Sequence, residues 1–366
     1  MAEGNNFGRL TRREAMALVG AASAAALING SALAQGAPKK GGVLKVSANA
    51  NPSSLDPQTG GAGSDHTMLY PMYDTLTEWD YETLKTKPGL ASSWSFTDPQ
   101  TLVLNLRSGV TFHDGTALDA EAVKFNLERA KSEARSNIKA DLATVSAVEV
   151  TGPQQVTLKL SQPDAALPGI LSDRAGMMVS PAAVKASGNI DRKPVGAGAY
   201  EFVSWTDNEK IVLKRYEKYW RASERHLDGI EFAIIPEVAT GVRSVVAGQN
   251  HVAYALPARQ KAVLARASNV QQAQGPTVYC VQIYYNWGKP PFDDIRVRKA
   301  INHAVDRATF VKATLEGVGE PAFMNLPSSH WAYDAEVAKL YPHDPDKARA
   351  LLKEANIPQG FELDLI

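Results

Sequence analysis

The sequence predicts an α/β or α+β globular fold, and three observations carry that expectation. Short β-prone runs recur along the chain, among them Val43-Leu44-Lys45-Val46, Ile211-Val212-Leu213 and Ile230 to Ile235. Between them lie stretches with apolar residues three or four apart, as at Val123, Leu127 and Ala130, which is the period of an amphipathic helix and not of a strand. The 366 residues are 44% hydrophobic and 21% charged, enough to bury two or three substantial cores without staples. No internal repeat is visible, so a solenoid is not expected.

Each element has its own local reason. Val43 to Val46 is short enough for a single strand. In residues 101 to 112, Leu102, Leu104 and Leu106 alternate with Val103, Asn105 and Arg107, and Ser108-Gly109 then turns into Val110-Thr111-Phe112, which reads as a hairpin. Asp114-Gly115 makes the next turn, and a helix follows from about Asp119. Val148 to Val150, a Gly152-Pro153 turn and Val156 to Leu160 form another strand pair, so residues 86 to 187 read as one α+β insert. Val297, Ile301, Ala304 and Val305 fall on one face of a helix opened near Asp293. A last helix has Asp344 as N-cap, Pro345 in its first turn, and an apolar face of Ala348, Leu351, Leu352 and Ala355.

The N-terminus has the order of an export signal. Arg9, Arg12 and Arg13 precede an apolar stretch from Ala15 to Ile28 that ends in Ala32-Leu33-Ala34, with cleavage expected after Ala34. The apolar stretch is too short for a permanent membrane anchor, and no other span follows. Thr11-Arg12-Arg13-Glu14-Ala15-Met16 resembles a twin-arginine signal, with Ala15 where that motif usually carries a bulky apolar residue; a general-secretory signal is the other reading.

The bulk charge excludes some partners. With 39 basic and 39 acidic residues, nothing favours a polyanion, so no nucleic acid is expected as a partner. Cys280 is the single cysteine, which rules out an internal disulfide; it sits in an apolar run and receives no role. Neither Gly-x-Ser-x-Gly nor Gly-Lys-Ser/Thr occurs, and Gly196-Ala197-Gly198-Ala199-Tyr200 lacks the last glycine of a dinucleotide loop. The seven histidines, including His66, His113 and His303, are scattered without ligand spacing, so no metal and no cofactor is expected. Phe112-His113-Asp114-Gly115 reads as a turn and not as a catalytic pair, because neighbouring strand residues point to opposite faces. The aromatics Trp79, Tyr81, Trp94, Trp205, Tyr219, Trp220, Tyr284, Tyr285, Trp287 and Trp331 lie beside polar or turn residues, a pattern compatible with a ligand cleft or with core packing.

Ordered blocks carry a family resemblance. Ser54-Leu55-Asp56-Pro57, Tyr73-Asp74-Thr75-Leu76, Leu90-Ala91-Ser92-Ser93-Trp94 and Leu106-Arg107-Ser108-Gly109-Val110-Thr111-Phe112-His113-Asp114-Gly115 resemble, in order, the N-terminal signature of family 5 solute-binding proteins of ABC importers. Pro194 to Tyr200, Tyr219-Trp220, Leu227 to Ile230, Asn286, Pro291 to Ile301 and Asp346 to Leu352 continue it, so the resemblance runs from about residue 41 to the end. One departure is Gly196-Ala197-Gly198-Ala199-Tyr200 where the family usually has Gly-Thr-Gly-Pro-Tyr; the turn glycines are kept.

The resemblance implies a two-lobed periplasmic-binding-protein fold of class II, cluster C type, with an extra domain inserted in the first lobe. On that pattern lobe I is 41–85 with 188–275, the insert is 86–187, and lobe II begins at 276. It further implies a non-enzymatic, monomeric periplasmic protein that closes over a peptide or peptide-like solute and presents it to inner-membrane permease subunits. Arg174, in Ser172-Asp173-Arg174-Ala175-Gly176, resembles the arginine that meets a ligand carboxylate in related nickel-chelate binders; a salt bridge to a neighbour such as Asp173 is its other reading. Tyr285, Asn286 and Trp287 are the remaining ligand-contact candidates, as aromatic walls and an amide, unless they pack a hinge. The alternative class is a secreted hydrolase with non-local catalytic residues. Relatives continue past the strand-like Phe361 to Ile366, so lobe II is expected to be only partly present.

If the twin-arginine reading holds, changing Arg12 and Arg13 to lysine strands the precursor in the cytoplasm of an expressing bacterium. Immunoblots of periplasmic fractions read the outcome, and an unchanged periplasmic yield assigns export to the general route.

Overall fold

A computed structural model of the chain describes residues 39–275 and 280–362. The expected signal at 1–34, residues 276–279 beside the expected lobe boundary, and the last four residues of the strand-like C-terminal stretch lie outside the described residues. The chain divides into two compact units, Met1–Gly41 and Gly42–Ile366. Of the first, only residues 39–41 are described, and they form no regular element.

In the second unit the elements follow in the order β1 (Val43–Ala48), β2 (Thr77–Asp80), β3 (Lys85–Pro88), β4 (Ala91–Asp98), β5 (Thr101–Leu106), α1 (Ala120–Ser132), β6 (Val145–Gly152), β7 (Gln155–Leu160) and α2 (Pro181–Ser187). Then come β8 (Tyr200–Thr206), β9 (Lys210–Arg215), β10 (Gly229–Ile234), α3 (Val238–Val246), β11 (Val252–Ala253), α4 (Ile295–Ala304), α5 (Arg307–Thr314) and α6 (Pro345–Glu354).

Two sheets organise two cores. The first has the order β11-β1-β10-β9-β8, with β1 parallel to β10 and β11 and the pairs β10–β9 and β9–β8 antiparallel. Since parallel neighbours cannot be joined by a tight turn, the chain between β1 and β10 must leave the sheet and return. The excursion contains the second sheet, an antiparallel β4-β5-β7-β6 arrangement. Leu102, Leu104 and Leu106 alternate inward on β5, as the sequence pattern requires, and meet Val156, Leu158 and Leu160 of β7 in the core. Helix α1 covers this face with Val123, Leu127 and Ala130, and Asp119 caps it by accepting from the Ala122 amide at 2.9 Å.

Two expectations are corrected. The hairpin partner of β5 is β4, reached across the Pro99-Gln100 turn, and not Val110 to Phe112. Because β4 and β7 occupy both edges of β5, residues 110–112 have no edge to join; they bury Val110 and Phe112 and keep only an isolated bridge between Thr111 and Ala117. At α4 the cap is Asp294, accepting from the Arg296 amide at 2.8 Å. Its buried residues are Val297, Ala300 and His303, while Ala304 is exposed, because the helix turns this stripe toward α6. Helix α6 starts as expected, with Asp344 accepting from the Lys347 amide at 2.9 Å.

The two cores meet where residues 194–200 cross residues 71–73. The Gly198 amide donates to Met72 O and the Tyr200 amide to Pro71 O, both at 2.9 Å. A Cβ on Gly196 would stand 2.1 Å from Met72 O, and one on Gly198 would stand 2.5 Å from the Met72 carbonyl carbon, so the crossing admits only glycine. His113 seals it from the side: its amide donates to Gly196 O at 2.8 Å, its Nε2–H donates to Gly198 O at 3.0 Å, and its Nδ1 accepts from the Gly196 amide at 3.3 Å. Burial holds His113 below the usual histidine range, consistent with a neutral ring.

Gly198→Ala is therefore expected to destabilise the protein by about 2 kcal/mol or more, the range for forced overpacking. Gly169→Ala, whose new methyl would meet only Trp79 and Thr86 atoms at 3.8 and 3.9 Å, is the near-neutral control in urea unfolding.

Candidate functional site

A set of buried, mutually bonded polar groups gathers where the loop of residues 53–66 meets the segment 172–176. A single 3₁₀ turn, Arg174–Gly176, presents Arg174; it is tight because a Cβ on Gly176 would lie 1.8 Å from Leu171 O. Arg174 is buried, with Nη1 donating to Gly60 O, Nη2 to Ala62 O, and Nη2 reaching Asp65 Oδ2 at 3.4 Å. Its Nε lies 3.3 Å from His66 Nε2. Asp65 is fully buried and also accepts from the Ser53 amide at 2.9 Å, Ser53 Oγ at 2.6 Å and the Ala62 amide at 3.3 Å. A Cβ on Gly60 would stand 2.8 Å from both Arg174 Nη1 and Asp65 Oδ2, so a larger residue there would displace this pair.

Arg174 thus has an internal acid partner, but it is Asp65 and not its neighbour Asp173. Asp173 turns to His66, with Nε2 and Oδ1 2.7 Å apart, and Tyr70 OH lies 3.4 Å from the same oxygen. His66 Nδ1 donates to Gly63 O at 3.0 Å. The hydrogen bond to Asp173 raises the His66 pKa above its ordinary value. Burial pushes the Asp173 carboxyl up, yet its bond to His66 and the imidazolium charge hold it below the usual carboxylate range.

The other end of the loop is tied to α1. Asp56, fully buried, pairs with Arg129, which also donates to Gln58 Oε1 at 3.0 Å. Asp191 accepts from Ser54 Oγ at 3.0 Å, Thr59 Oγ1 at 2.7 Å and Arg135 Nη1 at 2.5 Å. Tyr219-Trp220 serve a separate cluster: both donate to Asp74, at 3.1 and 2.6 Å, beside the Arg221–Glu78 pair, and the Arg107 guanidinium lies 4.5 Å from the Trp220 ring centroid. Burial pushes the Asp74 carboxyl up to about 6 against these donors.

Tyr285, Asn286 and Trp287 stand apart from this network. Tyr285 is half-buried, its ring 5.2 Å from Phe292; Asn286 Oδ1 accepts from the Gly288 amide at 3.1 Å; Trp287 is 69% exposed beneath Arg298. Among the described residues no hydrogen bond or ion pair links them to Arg174. Nor does any group of three or more His, Cys, Asp and Glu converge as a metal site among the described residues. Of the expected cleft aromatics, Tyr81, Tyr284 and Trp331 are exposed, Tyr219 is buried, and Trp94 packs against the insert core. Sequence reasoning missed Asp65, His66 and Asp173 as members of one group, since more than a hundred residues separate the two halves.

This arrangement can be set against known proteins. The sequence profile of the bacterial extracellular solute-binding proteins, family 5, matches residues 85–365. The chain belongs to that family. Glutathione-binding protein GsiB of Escherichia coli O1:K1 is 34% identical over 326 residues, covering 87% of this chain. The chain spans 62% of that relative's length. Among solved structures, the ABC transporter-associated periplasmic binding protein DppA from Helicobacter pylori, in complex with the peptide STSA, superposes with a TM-score of 0.76 at 25% identity, over 88% of this chain and 67% of the other. The binding protein AgaA from A. tumefacien R10, in complex with agropinic acid, gives a TM-score of 0.75 at 26% identity, over 87% and 65%. As a family 5 protein the chain shares the two-lobed α/β fold of these neighbours.

Asp65→Ala leaves the buried Arg174 without its acid partner, so a loss of about 3 kcal/mol in unfolding free energy is expected. Chemical denaturation measures it, and proteolytic cleavage within residues 60–63 should accelerate in parallel.

Proposed function

We propose that the chain is the solute-capturing component of an ABC importer, exported to the periplasm, which encloses a peptide or peptide-like anion between two lobes and delivers it to the permease without chemical change. The observation that carries this reading is family 5 membership together with a relative that binds glutathione and neighbours solved with a peptide and with agropinic acid. Lobe I would comprise 41–85 and 188–275, with 86–187 as the insert and lobe II from 276 onward. The signal at 1–34 would be removed after Ala34, by the twin-arginine route or the general one.

Arg174 is proposed as the contact for a ligand carboxylate. A guanidinium carries five N–H groups, and four of its contacts are internal, which leaves one Nη1–H without an acceptor among the described residues. The internal bonds fix the group's orientation, so little side-chain freedom is lost when an anion arrives. Tyr285, Asn286 and Trp287 would contribute from the second lobe, where the exposed Trp287 ring offers an apolar wall. The hydrolase alternative has little to draw on: both ring nitrogens of His113 are engaged at the crossing, and Asp114 accepts from Thr116 and Ser180.

A thermal-shift screen of the purified protein with di- to pentapeptides, glutathione, opines, nickel chelates and oligosaccharides tests the reading. A true ligand raises the melting temperature by mass action and is recovered unchanged. For the ligand so found, Arg174→Ala should weaken calorimetric affinity by tens to thousands of fold, following the roughly 2 to 5 kcal/mol lost with a buried charged partner. A change below about threefold removes Arg174 from the ligand site.

A further inference from the structure

The placement of His66 Nε2 contains a conflict that only a proton can resolve. It lies 2.7 Å from Asp173 Oδ1 and 3.3 Å from Arg174 Nε. A carboxylate can only accept and a guanidinium can only donate, so the nitrogen must carry a proton for the first contact and lack one for the second. The other ring nitrogen admits no exchange of roles, because Nδ1 faces the Gly63 carbonyl and must keep its hydrogen in both states. The ring can therefore be the imidazolium, bonded to Gly63 and Asp173, or the less usual Nδ1–H neutral tautomer, bonded to Gly63 and accepting from Arg174.

We propose that His66 is a positioning residue for Arg174, whose protonation decides whether the Arg174 Nε–H is held internally or released to an anionic group of the ligand. This rests on the reading of Arg174 as a ligand contact. With the ring charged, Asp173 takes Nε2–H, Arg174 Nε–H loses its internal acceptor, and two cations stand side by side. An approaching carboxylate takes the freed Arg174 Nε–H, and the neighbouring imidazolium charge favours its arrival. With the ring neutral, Arg174 Nε–H is occupied, Asp173 is released, and the local charge opposes an anion.

The surrounding groups agree with a ring that titrates in an accessible range. From its own segment the ring meets Gly63 O and lies 6.0 Å from the Tyr70 ring; from the segment 172–176 it meets Asp173 and Arg174. Asp65 acts on it through Arg174, while Tyr81 and Asp141 interact with Tyr70 and Asp173 respectively. The Asp173 bond raises the His66 pKa, and burial and Arg174 oppose it without reversing the direction. The His66 side chain is 28% exposed, so protons reach it. For a raised pKa, the stabilising contribution is complete below the ordinary histidine value of about 6.5 and is lost as pH rises through the folded value. Anion affinity should follow the same direction, and by linkage a bound anion should raise the His66 pKa further.

Nitrogen-15 detected titration of the ligand-free protein reads the first half. His66 should titrate above the ordinary value, its neutral form should carry the proton on Nδ1, and Asp173→Asn should lower the pKa. Calorimetry with glutathione, a tripeptide bearing two carboxylates, reads the second half across pH 5.5 to 8.5. Wild-type affinity should fall about five- to tenfold with rising pH, the scale of ordinary site coupling. In His66→Gln, whose side chain does not titrate, the profile should be flat. A neutral His66 protonated on Nε2, or a pH profile that His66→Gln leaves unchanged, overturns the proposal. If glutathione fails to bind the wild type, or Arg174→Ala binds it equally well, the reading of the ligand site falls instead, and the nitrogen-15 titration still decides whether the proton exchanges His66 between Asp173 and Arg174.

Discussion

The fold depends on one close approach of two backbones. Where residues 194–200 pass over Met72 and Tyr73, no side-chain atom fits between the chains, and the amides of Gly198 and Tyr200 bond directly to the carbonyls they cross. On one side of that crossing Met72 and Tyr73 belong to the core of the five-stranded sheet; on the other Ala197 belongs to the core of the four-stranded sheet. A larger residue would separate the cores and also dislodge His113, whose ring is bonded to both glycine segments. The same geometry explains why the third residue of the family's usual Gly-Thr-Gly-Pro turn matters more than the proline that is replaced here by Ala199. Backbone proximity is a steric requirement, whereas the missing proline chiefly alters the entropy of the unfolded chain.

A second constraint concerns the loop of residues 53–66. It carries almost no regular structure, and its buried acids Asp56 and Asp65 would be strongly unfavourable alone. Each is matched by an arginine from a distant part of the chain, Arg129 on α1 and Arg174 in its 3₁₀ turn, and by amide or hydroxyl donors within the loop. Such pairs contribute little net stability compared with apolar packing, because desolvation offsets most of the attraction. Their effect is on geometry: a loop held at both ends by charge-assisted bonds has few alternative conformations, and Arg174 inherits that order.

That order connects structure to the proposed function. A guanidinium whose neighbours hold it in place can meet an anion without first losing rotamer freedom, and a partly exposed imidazole beside it lets solvent pH reach an otherwise buried group. The elements that move in a closing protein need not be the ones that recognise; under the proposed function, recognition would sit on a segment whose following residue, Met177, is held to Thr75 by an isolated antiparallel bridge.

Local chemistry by itself determined much of this protein. The alternation of Leu102, Leu104 and Leu106, the Asp119 and Asp344 caps and the Gly152-Pro153 turn each act within a few residues, so they are legible without a fold. Family membership was legible for the same reason, as ordered local blocks. What fails to read locally is anything set by a partner far along the chain. β4 exposes most of its residues and therefore lacks an inward pattern, so its place beside β5 follows only from pairing. The face that α4 buries is chosen by α6, some fifty residues later. Arg174 was visible as a candidate, but its acid partner, the loop carbonyls around it and the contact of His66 with Asp173 exist only once residues 60–66 and 172–176 are brought together. Hydrogen bonds are decided at distances of about 3 Å, and only the tertiary structure sets those distances between residues a hundred positions apart.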